Sequence, residues 1–244
     1  MKKTSTVSYK NTTPNTGKHG NADGQRLNTP PLLLFMPSDN FGTNCPEVER
    51  IDFLTDQYGI IYADPPWRYD RTKVQGAAER HYSTMSNEDI CDLPVAELAA
   101  PNCALFLWAT FPKLPEALRV ISAWGFNFKT VAFVWLKLNK KTPTWFYGLG
   151  FWTRGNAEIC LFATKGHPKR QSAGVHQFII SPIEAHSKKP DIARDKIIEL
   201  MGDLPRVELF ARQTSPGWDV WGNEVDSTIP NFGTNCPEVK RRIF

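Results

Sequence analysis

Short apolar runs alternate with amphipathic stretches from Ile51 onward. Five runs are nearly continuous and rich in β-branched and aromatic residues, as expected for strands buried on both faces. They are Gly59–Ala63, Ala104–Trp108, Thr130–Leu136, Ala157–Thr164 and Arg206–Phe210. Helices are predicted over Asn87–Leu98, Lys113–Trp124 and Asp191–Met201. Core positions are predicted for Trp108, Trp124 and Trp135. The alternation indicates an α/β fold with a doubly wound sheet, whose ligands bind at the carboxyl ends of the strands.

The two ends of the chain differ from this pattern. Residues 1–30 contain almost no large apolar side chains, so they cannot bury enough surface to offset the entropy lost on ordering. We therefore predict a disordered basic tail at 1–30, an arm at 31–50, a folded domain over 51–226 and a C-terminal arm over 227–244. The nonapeptide at 40–48 recurs at 231–239, too far away for a solenoid repeat.

Charge and cysteine content exclude several classes of protein. The chain carries 29 Lys and Arg against 25 Asp and Glu, and the excess lies in the first 31 residues. The five cysteines include no CxxC pair, which argues against a disulfide framework and a zinc site, so no metal is predicted. No signal peptide or membrane span is predicted either, and we expect a soluble, cytoplasmic protein without a membrane partner.

The most informative motif follows the first predicted strand and reads Asp64-Pro65-Pro66-Trp67. Two consecutive prolines fix φ, favour extended geometry before them and supply no N–H group. The resulting stiff loop suits a planar exocyclic amine such as adenine N6. Asp64 and the Pro65 carbonyl would each accept one N–H, and Trp67 would stack on the base or border it. The alternative is a rigid turn at the strand end with a core tryptophan.

This motif and the segments around it resemble the MT-A70 family of S-adenosylmethionine-dependent N6-adenine methyltransferases. The resemblance runs from about Ile51 to Val225 in the family's order. The other matching segments are His81–Ser86, Ala104–Thr110, Trp124–Phe126, Val134–Asn139, Gly155–Pro168, His186–Asp191, Val207–Arg212 and Gly222–Asn223. The resemblance implies a permuted, Rossmann-like class I methyltransferase sheet with helices on both faces, in which the target-amine motif precedes the cofactor motif.

The resemblance also implies roles for individual residues. The motif Asp64–Trp67, including Pro65 and Pro66, would hold the target amine. Asp64 would also lie near the amino group of S-adenosylmethionine, and Lys189 near its carboxylate. The other implied cofactor-site residues are Glu208, Arg212, Asn223 and Glu224, the last standing where the family has Gln. Tyr82 would line the acceptor pocket.

Two basic loops, Arg68–Arg80 and Lys137–Lys141, follow strands on the side of the sheet where Asp64 is expected. Loops in this position can contact the phosphates of a nucleic acid. The substrate-binding residues predicted from them are Arg68, Arg71, Lys137 and Lys140. The alternative for each loop is an ordinary solvated charged segment.

Three functions are compatible with these features. The first is methyl transfer from S-adenosylmethionine to adenine N6 in nucleic acid. The second is an inactive subunit of a heteromeric complex, but such subunits lose the acid or the prolines of the motif. The third is an N4-cytosine enzyme, whose motif usually begins with Ser and ends with Tyr. We predict the first, with DNA rather than RNA as substrate because the compact chain lacks the long extension of the mRNA enzymes. A homodimer or a heterodimer with a related subunit is compatible with this prediction.

Overall fold

The computed structural model of the protein describes residues 57–69, 84–150, 152–185, 187–229 and 232–233. Several predictions therefore lie outside the described residues. These are the tail at 1–30, the arm at 31–50, the first copy of the nonapeptide, most of the loop Arg68–Arg80 with Arg71, and the residues Tyr82 and His186.

Within the described residues, seven strands form one sheet in the order β5-β3-β4-β2-β1-β6-β7. The strands are β1 (Tyr58–Ala63), β2 (Ala99–Ala109), β3 (Asn127–Leu138), β4 (Ala157–Lys165), β5 (Phe178–Pro182), β6 (Arg206–Leu209) and β7 (Asp219–Trp221). All neighbouring pairs are parallel except those of β4, which runs antiparallel to β2 and β3. The strand β1, which precedes the proline motif, pairs in parallel with β6, the later strand for which the resemblance implies the cofactor motif.

Helices cover both faces of this sheet, as predicted. The helices are α1 (Asn87–Cys91), α2 (Val95–Leu98), α3 (Leu114–Ala123) and α4 (Ile192–Met201). Alternate strand residues enter two separate cores: Ile61 packs on the side of α1, α2 and α3, and Ile60 on the side of α4. None of the helices in the described ranges is long and apolar enough to cross a membrane.

The predicted helix Asn87–Leu98 is in fact two short helices. The first begins as expected, because Ser86 and Asp89 form a reciprocal capping box. Pro94 then interrupts the helix, since proline has no N–H for the helical ladder and disfavours helical geometry in the residue before it. The prediction of a continuous helix was therefore wrong, although both halves bury apolar residues on the same face of the sheet.

The packed core extends beyond residue 226, the predicted end of the folded domain. Ile229 and Phe232 are both buried in the core on the side of α1–α3. The ring of Phe232 meets that of Trp221 edge-on, with centroids 5.0 Å apart. At least part of the predicted C-terminal arm therefore belongs to the folded domain.

The three tryptophans predicted as core residues, Trp108, Trp124 and Trp135, are all buried. Trp124 is the C-cap residue of α3, and its indole N–H donates a hydrogen bond of 2.8 Å to the carbonyl of Ile90 in α1. A single side chain thus fills the space between two helices and also satisfies a backbone acceptor.

We expect Trp124→Ala to lower the free energy of unfolding by about 3–5 kcal/mol, because it leaves a large cavity and removes this hydrogen bond. Denaturant titration would measure the change. Phe128→Ala is a matched control, since Phe128 is an aromatic residue near the start of β3 whose side chain is largely exposed. A loss below about 1 kcal/mol for Trp124→Ala would contradict this account.

Candidate active site

The functional side chains meet at one edge of the sheet, where the parallel strands end. Asp64 directly follows β1, and Lys137 is the next-to-last residue of β3. Because β4 is antiparallel, its beginning lies at the same edge, which brings Glu158 to this point. Lys189 arrives from the loop between β5 and α4. Residues from four distant segments of the chain thereby converge.

These four residues form a row of alternating charges, which we call the ionic chain: Asp64, Lys189, Glu158 and Lys137. The Lys189 ammonium lies 2.7 Å from Asp64 Oδ2 and 3.3 Å from Glu158 Oε2. The other oxygen of Glu158 accepts a hydrogen bond from Lys137. Each of the two inner members thus contacts two groups of opposite charge, and the row as a whole is neutral.

Two of the core tryptophans lie against the ammonium groups of the ionic chain. Lys189 Nζ is 5.8 Å from the ring centroid of Trp108, and Lys137 Nζ is 4.8 Å from that of Trp135. Both distances allow the electrostatic attraction between a cation and an aromatic face. The two tryptophans are core residues, as predicted, and they also contact the two lysines of the ionic chain.

The two carboxylates of the ionic chain have pKa values shifted in opposite directions. Burial raises the pKa of Asp64, and Lys189 only partly offsets it. Burial also pushes the pKa of Glu158 upward, but Lys189 and Lys137 together outweigh it and hold that pKa below its ordinary value. The pKa of Lys189 rises because its two carboxylate neighbours outweigh its burial. Of the two carboxylates in the ionic chain, Asp64 therefore accepts a proton more readily than Glu158 does.

The proline loop is held by hydrogen bonds within the loop and to residues outside it. The Pro65 carbonyl accepts a bond of 2.9 Å from the N–H of Trp67, and the Pro66 carbonyl accepts one of 3.0 Å from Met85. The indole N–H of Trp67 donates to the carbonyl of Trp108 at 3.1 Å, and only 5% of Trp67 is exposed. Trp67 is thus a core residue, as in the alternative interpretation of the motif as a rigid turn with a core tryptophan. Its hydrogen bond attaches the proline loop to β2.

A second charged network joins α4 to β6. Arg194 of α4 binds both carboxylate oxygens of Glu208 in β6, at 2.7 and 2.8 Å, and also contacts Asp191 at 2.7 Å. Arg194 and Glu208 are both buried. Burial raises the pKa of Glu208, and Arg194 partly offsets the shift. Because Arg194 donates a hydrogen bond to each carboxylate oxygen of Glu208, this pair attaches α4 to the sheet.

A cavity of about 180 Å³ connects the two networks. It is lined by Tyr62, Asp64, Ala185, Lys188, Lys189, Arg194, Glu208, Phe210, Arg212, Gln213 and Glu224. The structure therefore brings together five of the six residues predicted for the cofactor site, and the sixth, Asn223, adjoins Glu224 and is exposed. Arg212 and Glu224, which both line this cavity, are joined by a hydrogen bond of 2.7 Å from the guanidinium to the carboxylate.

The backbone is constrained where β6 and β7 end beside the cavity. Phe210 has a φ of 62°, a left-handed conformation that is uncommon for a residue with a side chain. A Cβ at Gly222 would lie 2.1 Å from the Ala211 carbonyl oxygen, so only glycine fits at that position. Backbone strain of this kind concentrates at functional sites.

The predicted phosphate-contacting residues have different environments. Arg68 and Lys140 are exposed, whereas Lys137 belongs to the partly buried ionic chain. The partial burial of Lys137 could have been expected from the sequence. Side chains alternate between the two faces of a strand, and Lys137 stands on the same face of β3 as the buried Phe133 and Trp135. Within the described ranges, no cluster of His, Cys, Asp or Glu is arranged to hold a metal ion.

Sequence reasoning did not single out Glu158 or Arg194. Glu158 is a charged residue in a strand that is otherwise largely buried, which is a signal that a buried ion pair is required. Arg194 gave no such signal, because α4 carries other charged residues and is buried at only four of its ten positions. The partners Lys189 of Glu158 and Glu208 of Arg194 could not be read from the sequence, since they lie in other elements or loops of the chain.

Comparison with known proteins finds a match to the family model described as MT-A70 over residues 58–224. The type II methyltransferase M.MunI of Mycoplasma is 32% identical over 200 residues, which cover 72% of this chain and 83% of the relative. The human N(6)-adenine-specific methyltransferase METTL4 is 29% identical over 83% of this chain and 43% of the relative. The N6-methyladenosine RNA methyltransferase MTA1 of Cryphonectria parasitica is 26% identical over 78% and 59%, respectively.

We expect Glu158→Gln to lower the free energy of unfolding by about 2 kcal/mol at about pH 7, because two lysines lose a charged partner. The folded-state pKa of Glu158 is lowered, so its stabilisation is present above the pKa of a free glutamate, about 4.3, and is lost as the pH falls below it. Thermal denaturation as a function of pH would test this, with the exposed Glu199→Gln as control. A difference from wild type that grows toward acid pH would contradict the assignment.

Proposed function

The chain belongs to the MT-A70 family of adenine N6-methyltransferases, and we propose that it transfers a methyl group from S-adenosylmethionine to the N6 amine of adenine in DNA. The observation that carries the proposal is the position of Asp64. Its carboxylate stands at the end of β1, beside the stiff proline loop, and lines the cavity in which most of the predicted cofactor residues meet.

The cavity has the charges that S-adenosylmethionine requires. This cofactor has an ammonium, a carboxylate and a sulfonium attached to an adenosine, so its site needs groups of both signs. Asp64 would hold the ammonium and Lys189 the carboxylate, while Arg212, Asn223 and Glu224 would surround the adenosine half. Glu208 supports that half by fixing Arg194. When bound, the cofactor supplies an electrophilic methyl group.

The target amine would be positioned by Asp64 and Pro65. Asp64 binds Lys189 through Oδ2, and its Oδ1 accepts no hydrogen bond from the part of the chain that the structure describes. The Pro65 carbonyl accepts one bond from Trp67 and has a second lone pair. If each oxygen accepts one N6 hydrogen, the nitrogen lone pair turns away from the ring and toward the methyl donor. Catalysis would then depend mainly on positioning.

The same carboxylate can take up the proton that the amine releases. Methylation of N6 makes the nitrogen positive, and one of its protons becomes acidic as the new bond forms. Burial raises the pKa of Asp64, which makes it a better acceptor than an exposed aspartate. No separate strong base is needed.

DNA is the proposed substrate because the type II methyltransferase M.MunI, at 32% identity, is more similar to this chain than the RNA methyltransferase MTA1 is, at 26%. RNA is the second candidate, since MTA1 is named an RNA methyltransferase. Pairing with an identical or related subunit stays a prediction.

We expect Asp64→Ala to reduce methyl transfer at least about 100-fold, because it removes a positioning group for the reacting nitrogen. The fold should survive, since Lys189 keeps Glu158 as a partner. Transfer of a tritiated methyl group would be measured at saturating cofactor, with the exposed Asp195→Ala as control. More than about a tenth of wild-type turnover would refute the proposed role.

We also expect an unpaired adenine to be methylated faster than the same adenine in a perfect duplex. Base pairing occupies N6, so a paired adenine must first leave the stack at a cost of a few kcal/mol. Matched DNA and RNA oligonucleotides, either fully paired or with the adenine in a mismatch or loop, would be compared after digestion to nucleosides. A faster reaction on RNA would favour the second candidate, and a faster reaction on perfect duplex would contradict the expectation.

A further inference from the structure

The segment 139–156, which connects β3 to β4, has an unusual composition. It contains five aromatic residues and three basic ones, and no acidic residue. The basic residues are Lys140, Lys141 and Arg154, and none of them makes an ion pair with the described part of the chain. We call this segment the aromatic loop.

The aromatic loop is attached directly to the ionic chain. Its last residue, Asn156, accepts a hydrogen bond of 2.9 Å from the N–H of Lys137. Phe146, in the middle of the loop, donates one of 2.9 Å to the Lys137 carbonyl. Glu158 follows two residues after the loop ends. The loop therefore leaves the sheet at the edge where Asp64 lies.

Hydrogen bonds within the loop order the backbone of the described residues 139–150 and 152–156. Asn139 donates to the Thr144 carbonyl at 2.9 Å, and its side-chain amide donates to the Trp145 carbonyl at 3.1 Å. Gly148 donates to the Gly155 carbonyl at 2.7 Å, which closes the tip. Gly150 has a φ of 66°, and a Cβ there would lie 1.8 Å from the Thr153 oxygen, so the tip requires glycine.

This ordered backbone holds large aromatic side chains in solvent. Trp145, Tyr147 and Trp152 are 44%, 58% and 101% exposed, respectively. Exposed tryptophans grouped on a constrained loop contribute little to folding, whereas a group of exposed apolar residues beside a site indicates a binding surface. The free positive charges among them favour a polyanion as the occupant.

We propose that the aromatic loop holds the single-stranded nucleotides that flank the target adenine. Trp145, Tyr147 and Trp152 stack on the flanking bases, and the basic residues contact the phosphates between them. Stacking on any base is favourable, so the loop gives affinity without strong sequence preference. The inference rests on the proposed function only for the nature of the substrate, since the loop itself needs neither an adenine nor the cofactor.

A thymidine oligonucleotide of about 12 residues tests the aromatic loop apart from catalysis, because it contains no adenine. Binding would be measured by fluorescence anisotropy without cofactor. The triple variant Trp145→Ala, Tyr147→Ala, Trp152→Ala should bind about tenfold more weakly or worse, with an unchanged thermal transition. Trp152→Phe should retain most of the affinity that Trp152→Ala loses. Phe128→Ala removes an exposed aromatic from the opposite edge and should bind as wild type.

The salt dependence separates stacking from charge. Loss of the three aromatic side chains should leave the slope of log affinity against log salt unchanged. Lys140→Ala with Lys141→Ala should make the slope shallower by about 1.4, at about 0.7 for each phosphate contact to a single strand. Lys169→Ala with Arg170→Ala removes the same charge from the exposed loop between β4 and β5 and should change the slope far less.

Two results would overturn the inference. One is a triple variant that binds the thymidine oligonucleotide as tightly as wild type. The other is weaker binding by the triple variant together with a halved mass in light scattering, because the lost affinity would then follow from a broken subunit contact at the aromatic loop. Failure of the proposed function has a different signature: wild type would bind the oligonucleotide through the loop but transfer no methyl group to adenine in DNA or RNA.

Discussion

The candidate site depends on one interaction, the contact of Lys189 with both Asp64 and Glu158. A buried ion pair is costly to desolvate, and it is tolerated only where each charge is well compensated. Here the sheet provides that compensation. The end of β1, the end of β3 and the beginning of the antiparallel β4 all reach the same edge, so two carboxylates and two ammonium groups can alternate. Without the reversed direction of β4, Glu158 would lie at the other edge, and Lys189 would have one partner instead of two.

The remaining features of the site keep this edge rigid. The prolines fix the chain as it leaves β1, and the Trp67 indole ties that loop to β2. On the other side, Arg194 and Glu208 join α4 to β6. Gly222 lets the ends of β6 and β7 approach each other. Rigid support suits a reaction that depends on the position of a weak nucleophile relative to its methyl donor, since small displacements are costly in rate.

Much of this organisation could be predicted from the sequence, because its signals are local. Continuous apolar runs identified β1, β2, β3, β4 and β6, and the proline pair identified the loop that follows Asp64, which lines the cavity. The edge strands β5 and β7 gave no such signal, since they are short and only partly buried. The direction of β4 also leaves no trace in local composition. The role of Glu158 therefore could not be foreseen, as it follows from where that strand begins.

The opposite pKa shifts of Asp64 and Glu158 distinguish the two carboxylates of the ionic chain. Glu158 contacts two cations and stays ionised within the layer, whereas Asp64 contacts one and, at 22% exposed against 10% for Lys189, is the more accessible member of their pair. A ligand cation that reached Asp64 would compete with Lys189 for it. Lys189 would then keep Glu158, so no buried cation would lose its last partner. Because Lys189 contacts Glu158 as well, its bond to Asp64 can be exchanged for a ligand, as the proposed role of Asp64 requires and an isolated buried pair would not allow.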